Sequence, residues 1–336
     1  MDKIKKNISL LFVMTVVALL GACGDKEPPV NAPEKPMTES EVMKPSTPNV
    51  VSFKQAMLYP EGVDWDVDRK RFMVTSIRQG IVGTVTDDGT YSVFAQDPRM
   101  VSAVGIRIDA GRDRVLVCNA DPGASKFSSP KTTGKLAALV VFQLSTGKLI
   151  KYLNLVEGMD GGHFCNDIVI AKDGTAYISD SFSTMIHKVT LDYKTSVFLD
   201  NKRFAGKAFN LNGLVIKDDY LLVDKFNEGI LFKVPLDNPE AFTQVKISEK
   251  FDGADGMLWA PDGSLVIIAN NSAHGGFPNG VATDTTVKLT STDDWATAQV
   301  VSTVDTGDVF ATTGVVRDGE IYAVYSMLHV LFNPKT

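Results

Sequence analysis

The sequence predicts an all-β fold, a six-bladed β-propeller with four strands per blade. From residue 50 onward, short runs rich in Val, Ile, Phe and Tyr alternate with Asp-Gly and Asn-Gly turns, and no long amphipathic helix is evident. A small turn residue that opens an apolar strand also recurs six times. The second residues of these openings are Gly62, Gly105, Asp167, Gly213, Gly256 and Gly314. Their spacings of 43, 62, 46, 43 and 58 residues match the roughly 40 to 50 residues of a propeller blade.

The two longest spacings contain visible insertions. Residues 119–135 are rich in Gly, Ser, Pro and Lys, and residues 271–284 contain the run His274-Gly275-Gly276-Phe277-Pro278. Without these insertions, both units approach the length of the others.

Individual strands are clearest in the first, third and fourth units. The first unit predicts strands at 62–66, 71–76, 80–86 and 90–95. The third predicts strands at 167–171, 175–179, 185–190 and 194–199. The fourth predicts strands at 213–216, 220–224 and 229–234, with another around Val245. Each unit is therefore a four-stranded antiparallel meander.

The sixth unit predicts how the ring closes. Three strands follow Gly314, at 315–317, 320–326 and 329–332, and residues 50–56 form a strand without a unit of its own. Pairing that N-terminal strand onto the last three completes the blade and removes an exposed edge. A β-sandwich is the alternative architecture, but it does not explain the recurring opening.

The first 22 residues predict an export signal. A basic stretch at 3–6 precedes an apolar run at 8–20, which is short for a membrane span. The end of the run, Leu20-Gly21-Ala22-Cys23, resembles the bacterial lipobox, so we expect lipidation of Cys23; an ordinary signal peptide is the alternative. Gly24, in place of an Asp that favours inner-membrane retention, points to the outer membrane facing the periplasm.

Residues 23–49 predict a lipidated Cys followed by a disordered tether, because six prolines and few large apolar residues cannot form a core. The folded domain spans 50–336, and we expect it to be a monomer that meets the membrane only through its anchor. The net charge is −6, and removal of residues 1–22, which carry +2, leaves −8. An acidic chain without a basic stripe is a poor nucleic-acid binder.

Two cysteines remain beyond the anchor. The spacing of Cys118 and Cys165 fits no zinc motif. The two cysteines could form a disulfide in an oxidising compartment. The apolar run around Cys118, however, favours the interpretation that Cys118 is a small buried apolar residue.

The residues that precede the opening glycines predict a metal centre. Equivalent positions of propeller blades converge on the axis, which would gather Glu61, Asn166, Asn212 and Asp255 from blades one, three, four and five. Two carboxylates and two amides, without His or thiolate, suit a hard cation such as Ca²⁺. Val104 and Thr313 hold the same position without being good ligands, so we expect an off-centre ion.

The four motifs resemble those of the regucalcin/gluconolactonase family of six-bladed calcium propellers, relatives of paraoxonase and diisopropyl fluorophosphatase. They are Pro60-Glu61-Gly62, Cys165-Asn166-Asp167, Leu211-Asn212-Gly213-Leu214 and Ala254-Asp255-Gly256-Met257. The resemblance covers residues 50–336.

The resemblance implies a divalent ion, most often Ca²⁺, held by Glu61, Asn212 and Asp255. Asn166 would be a fourth ligand or a substrate contact, and Asp255 would act as general base or nucleophile. Family lactonases for sugar lactones often carry an Arg two residues before the Asn, where this chain has Phe164. A more apolar lactone or ester is therefore favoured.

Several other residues have two interpretations. Asn212-Gly213 and Asp255-Gly256 also fit plain turns. His163 is either a proton shuttle beside Asn166 or a hydrogen-bonded structural residue, and His274 either lines the mouth or lies in a solvated loop. Two further pairs have structural interpretations: Asp180 and Asp224 as blade-turn residues, and Trp65 and Trp259 as inter-blade packing.

The leading hypothesis is therefore a lipid-anchored, metal-dependent hydrolase of small-molecule lactones or esters. A non-catalytic periplasmic propeller that binds a ligand or protein is the alternative, and phosphotriester hydrolysis is a third possibility.

Overall fold

The structure is a computed structural model that describes residues 47–206, 209–249, 253–270 and 284–332. The predictions for residues 1–46, including the export signal and Cys23, lie outside the described residues, as does His274. None of the described helices is long and apolar enough to cross a membrane.

The first unit is a four-stranded antiparallel sheet, as predicted. Its strands follow chain order: β1 (Val63–Asp66), β2 (Arg71–Thr75), β3 (Ile81–Val85) and β4 (Tyr91–Gln96). Each boundary lies within one residue of the predicted one.

The second and third units share one eight-stranded sheet. The second holds β5 (Ser102–Asp109), β6 (Arg114–Ala120), β7 (Lys135–Gln143) and β8 (Leu149–Asn154). The third holds β9 (His163–Ile170), β10 (Ala176–Asp180), β11 (Met185–Val189) and β12 (Thr195–Asp200). A short parallel pairing of Lys135 with His163 and of Leu136 with Phe164 joins them.

The fourth unit is again four-stranded, with β13 (Leu211–Lys217), β14 (Tyr220–Lys225), β15 (Ile230–Pro235) and β16 (Thr243–Gln244). The fifth contains β17 (Lys246–Ile247), β18 (Ala254–Trp259), β19 (Leu265–Ala269), β20 (Thr285–Thr290) and β21 (Thr297–Asp305). In it β17 adds in parallel to the outer strand β21. Short 3-10 helices lie at Ala110–Arg112, Lys202–Phe204, Phe226–Glu228 and Pro239–Ala241.

The sixth unit differs from the prediction. It contains β22 (Ala311–Arg317) and β23 (Glu320–Tyr325), followed by the helix α1 (Leu328–Phe332) instead of the expected strand at 329–332. Five residues fit either a strand or a helix by pattern alone. The helix is selected by packing, because Leu328 and Leu331, three residues apart and so on one helix face, join the same apolar cluster.

Residues 50–56 are also not a strand. Residues 48–53 nevertheless contact both the first and the sixth unit. The ring of Phe53 stacks on Tyr91 at 6.1 Å between centroids, and the hydroxyl of Tyr322 donates to the carbonyl oxygen of Pro48. The N-terminal segment thus bridges β4 and β23 by side chains, without a backbone ladder.

The first strands of the six units contact one another in sequence: β1 with β5, then β9, β13, β18 and β22, and β22 with β1. The opening glycines make this approach possible. A Cβ added to Gly62 would lie 2.5 Å from the carbonyl oxygen of Val104, and one on Gly213 would lie 2.2 Å from that of Asp255. The repeated glycine is therefore required where adjacent backbones nearly touch.

Trp65 and Trp259 pack between units, as predicted. The guanidinium of Arg317 in β22 lies 4.0 Å from the ring centroid of Trp65 in β1. The indole nitrogen of Trp259 in β18 donates to the carbonyl oxygen of Ile216 in β13 at 2.9 Å.

Candidate metal centre

All six first strands, with the residues just before them, border one small cavity of about 10 Å³, close to the space that one water molecule needs. The lining residues are Glu61, Gly62, Gly105, Ile106, Arg107, Asp167, Asn212, Asp255, Gly256 and Thr313. Three of the four predicted ligands are therefore brought together, and the fourth, Asn166, lies one hydrogen bond away.

Glu61 is a buried carboxyl with an oxygen left over. Its Oε2 has no hydrogen-bond partner among the described residues, although the residue is only 8% exposed. Burial raises the pKa of Glu61 well above its usual value, and the carboxyls of Asp255 and Asp167 raise it further; Arg107 opposes them. Such a group gains most from a nearby cation.

Asp255 faces the same cavity. Burial raises its pKa to about 8, while hydrogen bonds from Asn270 and Asn212 act in the opposite direction. The amide nitrogen of Asn270 lies 2.6 Å from Oδ2 of Asp255. Asp167 and Asp284 add to the increase by repulsion.

The two asparagines form a chain of amides behind the carboxyls. Nδ2 of Asn166 donates to Oδ1 of Asn212 at 2.7 Å and to Oγ of Ser181 at 2.8 Å. Ser181 in turn donates to the carbonyl oxygen of Leu211. As oriented, Asn166 positions Asn212 and does not itself line the cavity.

Three cavity residues were missed by sequence reasoning. Arg107, in β5, pairs with Asp167 at 3.3 Å between Nη2 and Oδ1, with only 19% of its side chain exposed. Thr313 was dismissed as a poor ligand, yet its hydroxyl is buried without a hydrogen-bond partner in the described chain. Arg107 could have been recognised in the sequence as a lone charge inside an apolar strand. Asp167 could have been recognised because it directly follows Asn166.

The donor set fits a hard cation. Glu61, Asp167 and Asp255 face the cavity with the single guanidinium of Arg107, so acidic groups are in excess. The unpartnered oxygens of Glu61 and Thr313 are the kind of ligand that Ca²⁺ takes. In the described ranges no three His, Cys, Asp or Glu side chains cluster as a metal site, so amide or hydroxyl oxygens would have to complete the shell.

His163 lies apart from the cavity. Its Nδ1 is 2.7 Å from Oδ2 of Asp180, and His187 contacts the same oxygen at 3.3 Å. The hydrogen bond to Asp180 raises the pKa of His163. Burial would raise the pKa of Asp180, but hydrogen bonds from His163 and His187 outweigh it and hold that pKa well below its usual value. These contacts correspond to the structural role considered for His163.

The interpretation of Asp180 and Asp224 as turn residues is wrong, because both are buried strand residues. Their carboxyls accept hydrogen bonds from the backbone at the start of a unit. Oδ1 of Asp180 accepts from the backbone of Phe164 at 2.8 Å. Oδ2 of Asp224 accepts from the backbone of Gly213 at 3.1 Å. Burial, followed by repulsion from Asp255, raises the pKa of Asp224 well above its usual value.

An apolar layer precedes the site residues along the chain. Tyr59, Phe164, Phe209 and Phe310 come two or three residues before Glu61, Asn166, Asn212 and Thr313, and all four join one apolar cluster with Leu328 and Leu331 of α1. The ring of Phe164 lies 5.0 Å from Phe182 and 5.7 Å from Phe209. We call these six residues the apolar layer.

Cys118 and Cys165 form a disulfide, so the favoured interpretation of Cys118 as a free buried hydrophobe is wrong. The bond links β6 to β9 and therefore joins the second unit to the third. Cys165 directly precedes Asn166, so the disulfide anchors the strand that carries that amide.

No protein-family model matches the chain, and no curated protein sequence does. Solved structures do resemble it. Virginiamycin B lyase from Staphylococcus aureus, with quinupristin, has a TM-score of 0.55 at 12% identity, over 82% of this chain and 80% of that one. A gluconolactonase from Xanthomonas campestris gives 0.53 at 14% identity, over 81% and 84%. A luciferin-regenerating enzyme gives 0.54 at 12% identity, over 80% and 84%.

At these identities the likeness shows the fold alone. The chain has a β-propeller fold shared with gluconolactonase and lyase structures, and the all-β prediction is confirmed.

Proposed function

We propose that this protein is a divalent-cation-dependent hydrolase of lactones or esters. One observation carries the proposal: the carboxyls of Glu61 and Asp255, from opposite parts of the sequence, share a buried cavity whose size suits a single ion. The likeness to a gluconolactonase structure is consistent with this reaction, but the likeness to a lyase means that fold alone does not decide the chemistry.

Glu61, Asp255 and Asn212 would hold the cation, which we propose to be Ca²⁺, with Thr313 as a further oxygen donor. When bound, such an ion polarises a carbonyl oxygen and lowers the pKa of a nearby water. Asn212 now turns its oxygen to Asn166, so it would serve as a ligand only after its amide turns over.

Asp255 is the residue suited to accept a proton. Its carboxyl faces the cavity, and Asn270 fixes its orientation through Oδ2. Asn212 also donates to this carboxyl, so the turn of its amide that would make Asn212 a ligand would also free the carboxyl for water or for the ion. A base with a pKa near the working pH transfers protons efficiently, and bound positive charge would keep the carboxyl ionised. Nucleophilic attack by the same oxygen remains the alternative route.

The apolar layer favours an apolar substrate. Phe164 lies among the rings of Phe182 and Phe209, where a guanidinium that recognises sugar hydroxyls would be buried without a partner. An aliphatic or aromatic lactone, or a comparable ester, is therefore the substrate class we propose. Asn166 would contact the substrate only if its amide leaves Asn212.

A non-catalytic binding module is the second candidate, and a specific observation favours it. The cavity of about 10 Å³ accommodates an ion but not an organic molecule. The residues of the apolar layer come just before the cavity residues along the chain. In this case the ion would be structural and would tie the first strands together. Binding of ligand or protein would then use other surfaces.

We further propose that the six units form a closed six-bladed ring, based on the successive contacts of their first strands. We also propose that the domain is exported and anchored by a lipid on Cys23, in the outer membrane facing the periplasm. The basis is the basic and apolar run before Leu20-Gly21-Ala22-Cys23. The disulfide is consistent with an oxidising compartment.

Calorimetric titration of Ca²⁺ into the protein tests the proposal. Wild type should bind one ion, and Glu61→Gln and Asp255→Asn should each weaken binding at least tenfold. Asp66→Asn is the matched control, because Asp66 is a buried carboxyl that does not line the cavity. Equal affinity in all four proteins would refute the metal centre. If binding holds, absence of turnover across aliphatic, aromatic and sugar lactones and esters would favour the binding module.

A further inference from the structure

A second cavity, of about 590 Å³, lies beside β23, within the roughly 300 to 1,000 Å³ range of ligand pockets. Two runs of consecutive residues border it, 321–325 of β23 and 49–53 of the N-terminal segment. Apolar side chains of the first unit complete its lining: Val63, Phe72, Val74 and Val85. We call this cavity the edge groove.

One edge of β23 is open to the groove. β23 pairs with β22 on one side, and within the described ranges its other side has no ladder partner. A two-residue turn at 318–319 joins the two strands, so Arg317 and Glu320 face each other beside it and exchange backbone hydrogen bonds. Because such pairs alternate along a hairpin, the N–H and C=O groups of Ile321 and Ala323 point away from β22. Both residues border the edge groove, which therefore receives a row of backbone donors and acceptors.

The edge groove lies where other units have a third strand. In the fourth unit β15 pairs with β14 along six residues, whereas β23 has no such neighbour in the described chain. Val324 of β23 shares an apolar cluster with Val63 and Phe72 of the first unit, so a strand added beside β23 would continue this contact. Large apolar side chains are exposed around the groove: Val50, Met57, Ile321, Tyr325 and Met327. Exposed apolar side chains gathered in one place mark an interaction site.

The chemistry of the groove selects an extended peptide. None of the residues that line it in the described chain is charged, so an uncharged occupant fits it. An acyl chain would suit the apolar walls but would leave the N–H and C=O groups of β23 buried without partners, which is costly. A peptide strand satisfies those groups through a backbone ladder and directs every second side chain onto the first unit. The β23 strand of a second copy is a poor occupant, because residues 49–53 of its own chain lie beside it.

We infer that the edge groove is a peptide-binding site, which takes one extended, uncharged segment of a partner protein as a third strand of the sixth unit. The segment lies antiparallel to β23, as β15 does to β14, and places apolar side chains at alternate positions on the first unit. The edge groove shares no lining residue with the ion cavity. The inference is therefore independent of the proposed hydrolase activity.

A third strand of this chain supplies the probe. Residues 80–86, Gly-Ile-Val-Gly-Thr-Val-Thr, include β3 and carry no charged side chain. A synthetic peptide of this sequence, with blocked ends and a fluorescent label, should bind the whole protein saturably, as measured by fluorescence anisotropy. Two matched peptides carry N-methyl groups at residues 81, 83 and 85 or at residues 82, 84 and 86. One of the two should bind about tenfold more weakly than the other, because only one edge of the guest strand donates to β23. Absence of saturable binding, or equal affinity of the two methylated peptides, would overturn the inference.

Substitutions in the protein test the location. Ala323→Pro removes an outward N–H and keeps the ladder to β22, since an edge strand tolerates proline at such a position. It should weaken peptide binding about tenfold, whereas Ala323→Ser, which keeps the N–H, should bind as wild type does. Val50→Glu places a charge in the uncharged groove at a residue that is 74% exposed, so binding should weaken severalfold without loss of stability. Val67→Glu, at a residue that is 63% exposed outside the groove, is its control. Wild-type affinity in both Ala323→Pro and Val50→Glu would refute the location.

Further measurements separate the other occupants. Dodecanol, a neutral alkyl chain, should displace the labelled peptide poorly; displacement at a lower concentration than unlabelled peptide requires would make the groove a lipid site and overturn the inference. Ala323→Pro should leave the assembly state unchanged in sedimentation, and a dimer that this variant dissociates would instead assign the groove to a second copy. Ca²⁺ titration of Ala323→Pro should match wild type. Absence of Ca²⁺ binding in both proteins would count against the proposed function, while the peptide titrations still decide the groove.

Discussion

The amide of Asn270 joins Asp255 to the start of β22: Nδ2 of Asn270 lies 2.6 Å from Oδ2 of Asp255 and 3.1 Å from the carbonyl oxygen of Ala311. The nitrogen therefore has two acceptors, which fixes its direction. Because Asp255 and Ala311 are both buried, the Asn270 amide holds the carboxyl of Asp255 in one orientation.

Asn270→Ala should weaken Ca²⁺ binding about 10- to 100-fold, the usual cost of losing a partner that orients a ligand. The hydrogen bond lowers the pKa of Asp255, so its loss makes the ionised form harder to reach. Calorimetry at pH 7 measures the change, with Asn154→Ala on the exposed part of β8 as the control. An affinity equal to wild type would show that Asn270 does not support the site.

The metal-free protein should lose stability as the pH rises from about 4 to 8. The pKa of Asp255 is raised from 3.8 in the unfolded chain to about 8 in the folded one. The folded state thus binds the proton more tightly, and its contribution is complete at low pH and lost as the pH passes 8. Thermal unfolding in chelator should show Asp255→Asn more stable than wild type at pH 9, but not at pH 4.

Saturating Ca²⁺ should reverse that order at pH 9, because the ion compensates the ionised carboxyl. The same pH dependence in wild type and Asp255→Asn would indicate that other groups control it.

Arg107→Met should destabilise the metal-free protein but strengthen Ca²⁺ binding. The guanidinium pairs with Asp167 and lowers the pKa of Glu61, so it is the internal counter-ion of the cavity. Breaking a buried pair costs about 3 to 5 kcal/mol, while removal of a positive charge favours an incoming cation. The rise in Tm on adding Ca²⁺ should exceed that of wild type. Arg69→Met, at a more exposed ion pair, should leave it unchanged; a smaller rise in Arg107→Met would contradict the counter-ion role.

The sequence predicted most strands because their signals are local. Alternating apolar residues and the Asp88-Gly89 turn define the first sheet, and the recurrence of Gly62 and Gly213 reflects close backbone approach that tolerates no side chain. The carboxyls of Glu61 and Asp255 were found for the same reason, since each directly precedes such a glycine.

The remaining features depend on tertiary contacts. The apolar residues at 329–332 fit a strand by pattern, yet the contacts of Leu328 and Leu331 in the apolar layer select a helix. Arg107 had no counterpart in other units that could mark it as functional. The Cys118 run looked like ordinary core because nothing local shows that β6 passes beside β9.

Replacing both cysteines, as Cys118→Ala with Cys165→Ala, should lower the free energy of unfolding by about 2 to 5 kcal/mol. The disulfide closes a long loop, with a sequence separation of 47. Urea denaturation with and without reductant measures the effect. Reductant should lower the stability of wild type but not that of the double variant. An equal loss of stability in both proteins would show that reductant does not act through the bond between Cys118 and Cys165.

Phe164→Leu should impair turnover of aromatic lactones without changing the affinity for Ca²⁺. Phe164 lies two residues before Asn166, and its ring contacts Phe182 and Phe209 rather than the ion cavity. The smaller side chain keeps the layer apolar but removes aromatic surface, so KM should rise severalfold for aromatic lactones and little for short aliphatic ones. Steady-state kinetics on both classes, with calorimetry on the same protein, separates the effects. Phe232→Leu, which changes an aromatic cluster that does not line the cavity, should lower stability alone. An equal loss of turnover on both classes in Phe164→Leu would show that the ring supports the fold and does not select the substrate.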